Sequence, residues 1–493
     1  MPSETPGRVA AAVTWLLAGA LAVVGLVLLR LSVSWPLVHD APILHYVAQR
    51  IAAGAVPYRD LFDMNQPGAY LVHLGVLRVA GAGDAAWRAF DVAWLAVTCA
   101  AAFAFARAWG SAAAVGAAAL FGTYHVAGGA WQAGQRDFLL CVFLLGASAA
   151  MASWLEGRSA RWRLAVAGAL LGAGITLKPH ASLFAAGVGA VMILAAVRRR
   201  IAARALVTYV AGLGLAPAVV LAWLAARGGL GAWRDIVLDY LLPLYSRLTR
   251  PEDWGFWRVE VWFALGAAAL LSIGAAAWYG RFDWRRAIAV VGLAYGLFHF
   301  VGQRKGWEYH LYPLAAFAAV LAFSEVEALL SRRRVVLGSL VALSLLATAA
   351  TLARRGHDTV NPGWIREKEA TVVSLVDDLE RRRHADDTIQ IFDTTEGGVH
   401  ALLRLGARTP TRFIYDFHFF HDVGHPTIEG LRDELVRDLA ARPPRFVVLF
   451  ARGWPGGGPD RFQRFSALAR FLETGYRTSV RRDGYVILER HGS

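Results

Sequence analysis

Apolar runs long enough to cross about 30 Å of hydrocarbon recur from residue 10 to residue 353. A segment in lipid must satisfy its own backbone N–H and C=O groups, so such runs fold as helices, and the fold class is a polytopic α-helical membrane protein. The candidate spans are 10–31, 88–106, 111–130, 138–155, 163–177, 181–197, 205–226, 257–279, 287–302, 310–330 and 335–353, about eleven in all. An apolar share of 56% agrees with that class and exceeds what a soluble fold usually carries. The first run is long and lacks a small-residue cleavage site, so it is expected to remain as an anchor. Cys99 and Cys141 fall inside spans and read as small buried hydrophobes.

Arginines in the short connections set the orientation. With a cytoplasmic start, Arg8, Arg107, Arg158 with Arg161 and Arg163, Arg198 to Arg200 with Arg204, Arg281 with Arg285 and Arg286, and Arg332 to Arg334 all fall inside. A further span at Gln66 to Gly81 would invert every later connection. That stretch, with Pro67 at its start and His73 and Arg78 within it, is therefore expected to be an interfacial or re-entrant helix. The net charge of +14 resides in these clusters and in the tail, which fits topology and anionic lipid and not nucleic acid.

Three segments then lie outside. The first outer loop, 32–83, carries Asp40, a helical stretch ending at Gly54, the turn Val56-Pro57-Tyr58-Arg59-Asp60, and Asp63 to Gln66. A second, near 228–256, holds Trp233, Tyr240, Tyr245 and Trp254 and reads as an interface-hugging segment. The third is the tail. Its composition turns charged and mixed, and strands at TIQIFD, TRFIYDF, RFVVLF and YVILE alternate with helices at EGGVHALLRLG, 428–441 and 460–474. The expected organisation is a membrane domain over 1–353 and a soluble α/β domain over 354–493 on the extracytoplasmic side of a bacterial-type plasma (inner) membrane. No fixed-period repeat emerges.

Asp40 and Asp137 each stand where an apolar span gives way to a polar stretch, on the same predicted side. A carboxylate there can deprotonate a hydroxyl or hold a divalent cation near a phosphate. The bland alternative is a helix cap, for Asp137 with Arg136 as an ion partner. Lys178 ends its span in GITLKPH and is the only lysine before Lys305; Arg304 and Lys305 precede Tyr309, His310 and Tyr312. These groups suit a lipid phosphate, although snorkelling to headgroups and an aromatic belt explain each alone. In the tail, Asp416, His418, His421, Asp422 and His425 are all metal-ligating types; a polar acceptor-binding rim and a zinc site both remain open.

The ordered series HDAPILHYVAQRI, VPYRD, NQPGAY, QRDFLL, GITLKP and QRKGWEYHLYP resembles the GT-C superfamily of membrane glycosyltransferases, in its protein O-mannosyltransferase and aminoarabinose transferase branch. The series covers roughly residues 10–353. Two positions depart from it: Asp40 is followed by Ala41 where an Asp-Glu pair is common, and Gln66 stands where a lysine is common. The resemblance implies an inverting transfer of a sugar from a polyprenyl-phosphate donor to a glycan, lipid or protein acceptor. It implies Asp40 as general base and Asp137 as acceptor or cation ligand. Lys178, Arg304, Lys305 and His310 would meet the donor phosphate, with Tyr58, Asp60, Asp63 and Gln66 supporting the loop or acceptor. A divalent cation at Asp40 or Asp137 is the one cofactor admitted; no nucleotide cofactor is expected, and no nucleotide-binding motif is present. The rival class is a transporter or flippase for a lipid-linked or anionic substrate, whose charges are expected near mid-span in paired halves. A structural scaffold is the third, in which Asp40 is only a cap.

Overall fold

The computed structural model describes residues 5–157, 160–199, 204–249, 259–332, 334–454 and 457–492. Arg158, Arg200, Trp254, Phe256, Arg333 and Gly456 lie outside the described residues. A helix occupies each predicted span: Thr5–Leu31, Asp84–Ala106, Ser111–Val126, Arg136–Leu155, Trp162–Leu177, Ala181–Arg199, Arg204–Ala226, Val259–Trp278, Trp284–Gly302, Tyr312–Phe323 and Val335–Thr359. Among the described residues, 8 helices are long and apolar enough to cross a membrane, while Trp162–Leu177 is apolar but shorter. The chain is thus a polytopic helical protein, with a span count that length and composition alone leave below eleven.

Packing divides the chain into two units. The first comprises Met1–Trp35, Arg88–Val220 and Thr249–Asn361, and the second Pro36–Trp87, Leu221–Leu248 and Pro362–Ser493. At the centre of the first unit is Tyr312–Phe323, whose residues are buried almost without exception, against Ser111–Val126, Arg136–Leu155, Val259–Trp278 and Trp284–Gly302. Small residues admit the close approaches. A Cβ on Gly116 would meet the Phe323 ring at 2.3 Å, and one on Gly292 would meet Phe317 at 2.4 Å. Without a hydrophobic drive between helices in lipid, such backbone proximity is what association rests on.

The arginines used for orientation also hold helices together. Arg285 is buried and grips Glu156 with two bonds of 2.8 and 2.9 Å, and Arg286 reaches Glu325 at 2.5 Å and Asp283 at 2.7 Å. Desolvated guanidinium forks of this kind need planar carboxylate partners, which is why arginine and not lysine stands there.

The second unit contains the helix Asp40–Ala52 packed on Pro67–Val79. The latter has 13 residues, about 20 Å at 1.5 Å per residue, too short to cross the hydrocarbon. Leu230–Asp235 continues into a π-helical turn, Ile236–Leu241. The tail forms a four-stranded sheet in the order β1-β2-β4-β3, with β1 Ile389–Phe392 parallel to β2 Phe446–Phe450, and β4 Tyr485–Arg490 antiparallel to both β2 and β3 Tyr476–Arg481. The expected strand TRFIYDF makes the isolated bridge Phe62↔Phe413 to the loop 32–83 and does not join the sheet. Strand β3 is additional to those expected. Its outward arginines Arg477 and Arg481 mask the alternation, although Asp483-Gly484 before β4 carries a hairpin signal. The helix Gly363–Glu380 is likewise additional.

One close approach bears on the site. Helix Trp162–Leu177, which ends at Lys178, lies backbone to backbone on Arg204–Ala226: a Cβ on Gly168 would fall 2.2 Å from the Tyr209 carbonyl oxygen, and one on Gly172 2.3 Å from that of Leu213. Gly168→Val or Gly172→Val should therefore lower stability by at least about 2 kcal/mol, since backbone cannot move aside as a side chain can. Gly214→Ala on the same helix pair, with nothing within 4 Å, should stay near wild type, as measured by thermal unfolding in lipid.

Candidate functional site

In the first unit the start of Arg136–Leu155, the end of Trp162–Leu177, the end of Trp284–Gly302 and the segment Glu308–Leu311 converge, because consecutive antiparallel helices return their ends to one level. Asp137 sits in the first turn of its helix and is fully buried. One carboxylate oxygen lies 3.1 Å from Lys178 Nζ, and the other accepts at 2.5 Å from His299 Nε2. The second nitrogen of His299 faces Tyr295 Oη at 3.2 Å. Lys178 Nζ also donates to Gln303 Oε1 at 3.3 Å, and Gln303 Nε2 donates to the His299 carbonyl at 3.0 Å. The ring network carries on to His180 and His310, whose centroids lie 5.7 and 6.0 Å from that of His299.

Lys178 reaches the surface at 12% side-chain exposure, as do Gln303 and His180, while Asp137 and His299 are at 0%. A buried carboxylate without a counter-charge is costly, so the ammonium is held at the carboxylate and its direction is fixed. His310 is buried beside Trp307 and Tyr309, with ring centroids at 5.6 and 4.7 Å. Lys305 is buried in the connection that precedes it, and burial brings its ammonium down from 10.5 to about 8. Arg304 is exposed, at φ 57°, where the chain turns out of Trp284–Gly302.

Behind this cluster is a second set of buried polar groups, outside the loops from which the sequence candidates come. Asp91 accepts from the backbone N–H of Gly134 at 2.8 Å and from His125 Nε2 at 3.1 Å, and also pairs with Arg88. His125 Nδ1 lies 2.7 Å from Tyr312 Oη. By clamping Gly134, Asp91 fixes where the helix bearing Asp137 begins. Glu308, fully buried, pairs with Arg355. The signal that points to them is that ionisable residues within spans, here Asp91, His125 and His299, are by default functional or paired.

In the second unit Asp40 begins its helix and is half-buried. The other candidate acids of the loop 32–83 are bound up locally. Asp60 accepts from Arg59 at 2.8 and 3.0 Å and from the Val56 N–H at 2.8 Å, and the Arg59 guanidinium holds its carboxyl below the ordinary range. Asp63 is fully buried and accepts from Tyr70 Oη and Tyr415 Oη, both at 2.7 Å, from Asn65 Nδ2 at 2.9 and 3.0 Å, and from the Met64 N–H at 2.7 Å. Tyr58 donates to the Asn65 carbonyl at 2.6 Å, and Gln66 precedes Pro67–Val79 and accepts from Trp233 Nε1 at 3.3 Å. Tyr58, Asp63 and Gln66 thus brace the loop.

The histidine-rich stretch of the tail disperses. Asp416 pairs with Arg461 at 3.1 Å, His421 Nε2 meets Tyr240 Oη at 2.8 Å, His425 caps Pro426–Ala441, and His418 is enclosed by Phe62, Phe413, Phe417 and Phe419. Among the described residues no group of three or more His, Cys, Asp or Glu side chains is arranged to hold a metal ion.

No protein-family profile matches this chain, and no curated protein sequence matches it. Solved structures do. The chain is similar to ArnT from Cupriavidus metallidurans bound to undecaprenyl phosphate, with a TM-score of 0.60 and 13% identity over 96% of this chain and 98% of that one. The apo state of ArnT from the same organism gives 0.56 and 13% over 95% and 96%. The archaeal oligosaccharyltransferase AglB from Archaeoglobus fulgidus, in complex with an inhibitory peptide and a dolichol-phosphate, gives 0.54 and 11% over 96% of this chain and 74% of that one. The chain shares its fold, over nearly its whole length, with these solved structures.

Asp137→Ala should destabilise the protein by about 3 kcal/mol, because it strands the Lys178 ammonium and the His299 donor. Adding Lys178→Met should restore more than half of that loss. A double-mutant cycle on thermal unfolding reads the coupling directly.

Proposed function

We propose that this chain is an inverting glycosyltransferase that moves a sugar from a polyprenyl-phosphate donor to a cell-envelope acceptor on the outer face of the membrane. The observation that carries the reading is the fold shared over nearly the whole chain with ArnT, which was solved with undecaprenyl phosphate bound. The surface-reaching Lys178 ammonium, held by a buried carboxylate, supports it from the chain's own residues.

In this reading the acceptor hydroxyl oxygen attacks the anomeric carbon from the face opposite the phosphate, and the bond from that carbon to the phosphate oxygen breaks. The hydroxyl proton passes to Asp40, and polyprenyl phosphate leaves with the bonding pair. Asp40 is favoured by its place in the motif series, while Asp60 and Asp63 are committed to bracing their loop, through Arg59 and through three side-chain donors respectively. Lys178 meets the charge that develops on the leaving phosphate, with Arg304, Lys305 and His310 as further donors. In a partly desolvated groove a fixed cation is worth far more than in water. Asp137 then acts through Lys178 and His299, a different use from the acceptor or cation ligand that the resemblance implied. One Asp137 oxygen accepts from His299 and the other lies 3.1 Å from the Lys178 ammonium.

The test is transfer of labelled sugar from a mixed polyprenyl-phosphate-sugar pool by purified protein in lipid. Asp40→Asn should abolish transfer with folding intact, and Asp60→Asn should remain within about threefold of wild type. Lys178→Ala should lower kcat/KM by on the order of a hundredfold. Equal transfer by wild type and Asp40→Asn would overturn the assignment of the base. A transporter would instead move the lipid-linked substrate across vesicles without forming product.

The value of about 8 for Lys305 gives a pH signature. The group is cationic below that pH and neutral above it, so KM for the donor should rise as pH passes from 7 to 9. Lys305→Arg, which stays charged, should flatten the rise.

A further inference from the structure

The residue before Asp40 occupies a backbone conformation that its side chain disfavours. His39 has φ 55° and ψ −117°. Those angles match the second position of a type II′ turn, about +60° and −120°, where glycine is the usual occupant because a Cβ crowds the neighbouring carbonyl. The turn is closed: the Ala41 N–H lies 3.4 Å from the Val38 carbonyl oxygen, which makes Asp40 its third residue.

A strained turn persists only when its flanks are fixed. Upstream, the Leu37 N–H donates to Asp84 Oδ1 at 2.8 Å, and Asp84 is held in turn by Arg404 at 2.9 Å. Downstream, the helix from Asp40 is buried continuously from Ala41 to Ala48. The His39 ring packs against Trp364 with centroids 5.4 Å apart. The chain therefore enters the helix through one tight reversal. The peptide plane between His39 and Asp40 sets the direction of the Asp40 Cα–Cβ bond, and any relaxation of ψ at His39 swings the carboxylate.

We propose that His39 is a positioning residue, whose strained backbone at the II′ turn aims the Asp40 carboxylate. The proposal rests on the glycosyltransferase reading above. It accounts for a residue other than glycine at this point: the Cβ and the ring lock the turn in one state, whereas glycine admits many.

Two variants separate backbone from ring. His39→Ala removes the ring contact with Trp364 and keeps the Cβ crowding, and His39→Gly removes both. Sugar transfer and thermal unfolding are measured on the full chain in lipid nanodiscs. The thermal midpoint of His39→Gly should exceed that of His39→Ala by about 2–4 °C, since only glycine relieves the strain. Its kcat should nevertheless fall about tenfold below that of His39→Ala, with KM for the donor within about twofold, as expected of a misaimed base. A His39→Gly enzyme that turns over as fast as His39→Ala, or that melts no higher, overturns the proposal. Wild-type protein that transfers no sugar from any donor removes the glycosyltransferase reading and the positioning role with it, while transfer by wild type with no difference between the two variants removes only the latter.

Discussion

The carboxylate of Asp137 is fully buried in the first turn of its helix, and much of the first unit is arranged around the need to pair it. Lys178 and His299 reach it from two other helices, and Gln303 ties the two together. A hydrocarbon-like interior offers no water to an unpaired charge, so the three helix ends are held in register by the need to keep these groups together. The same requirement leaves one cation at the surface with its direction set beforehand. That is the property a site for a departing phosphate needs, since preorganised charge does not have to reorganise as the reaction proceeds.

Small residues make that convergence possible. Gly168 and Gly172 let the helix that ends at Lys178 lie directly on its neighbour, and Gly292 and Gly116 let two helices close on Tyr312–Phe323. The second unit works differently. Its loop 32–83 is braced by a buried Asp63 ringed by tyrosine and asparagine donors, and its II′ turn at His39 is held by Asp84 and by a buried helix. Rigid packing supports the cationic site, and hydrogen-bonded loop structure supports the candidate base. Both are ways of fixing a side chain before substrate arrives.

Helix positions are legible in the sequence because span length and hydropathy are local properties. The tail's strands at Ile389–Phe392, Phe446–Phe450 and Tyr485–Arg490 are legible for the same reason. Strand β3 is not, because its arginines hide the alternation, and the stretch TRFIYDF has the pattern of a strand while its partner in the loop 32–83 is some 350 residues away in the chain. Among site residues, Lys178 stands out as the only lysine before Lys305 in an arginine-rich chain. His299 is marked only as an ionisable residue within a span, and the carboxylate it faces is not legible in the local sequence.

Local sequence pattern identifies a polytopic helical membrane protein with a mixed α/β tail and singles out Asp40, Asp137 and Lys178. Hydrophobic length and the scarcity of charge within spans are enough for that. Tertiary packing is what brings Lys178 and His299 to Asp137, sets Tyr415 on Asp63, and bends the chain at His39 into Asp40 through a turn suited to glycine. Those assignments depend on distances between residues far apart in the chain and on backbone angles imposed by packing, neither of which is encoded in local pattern.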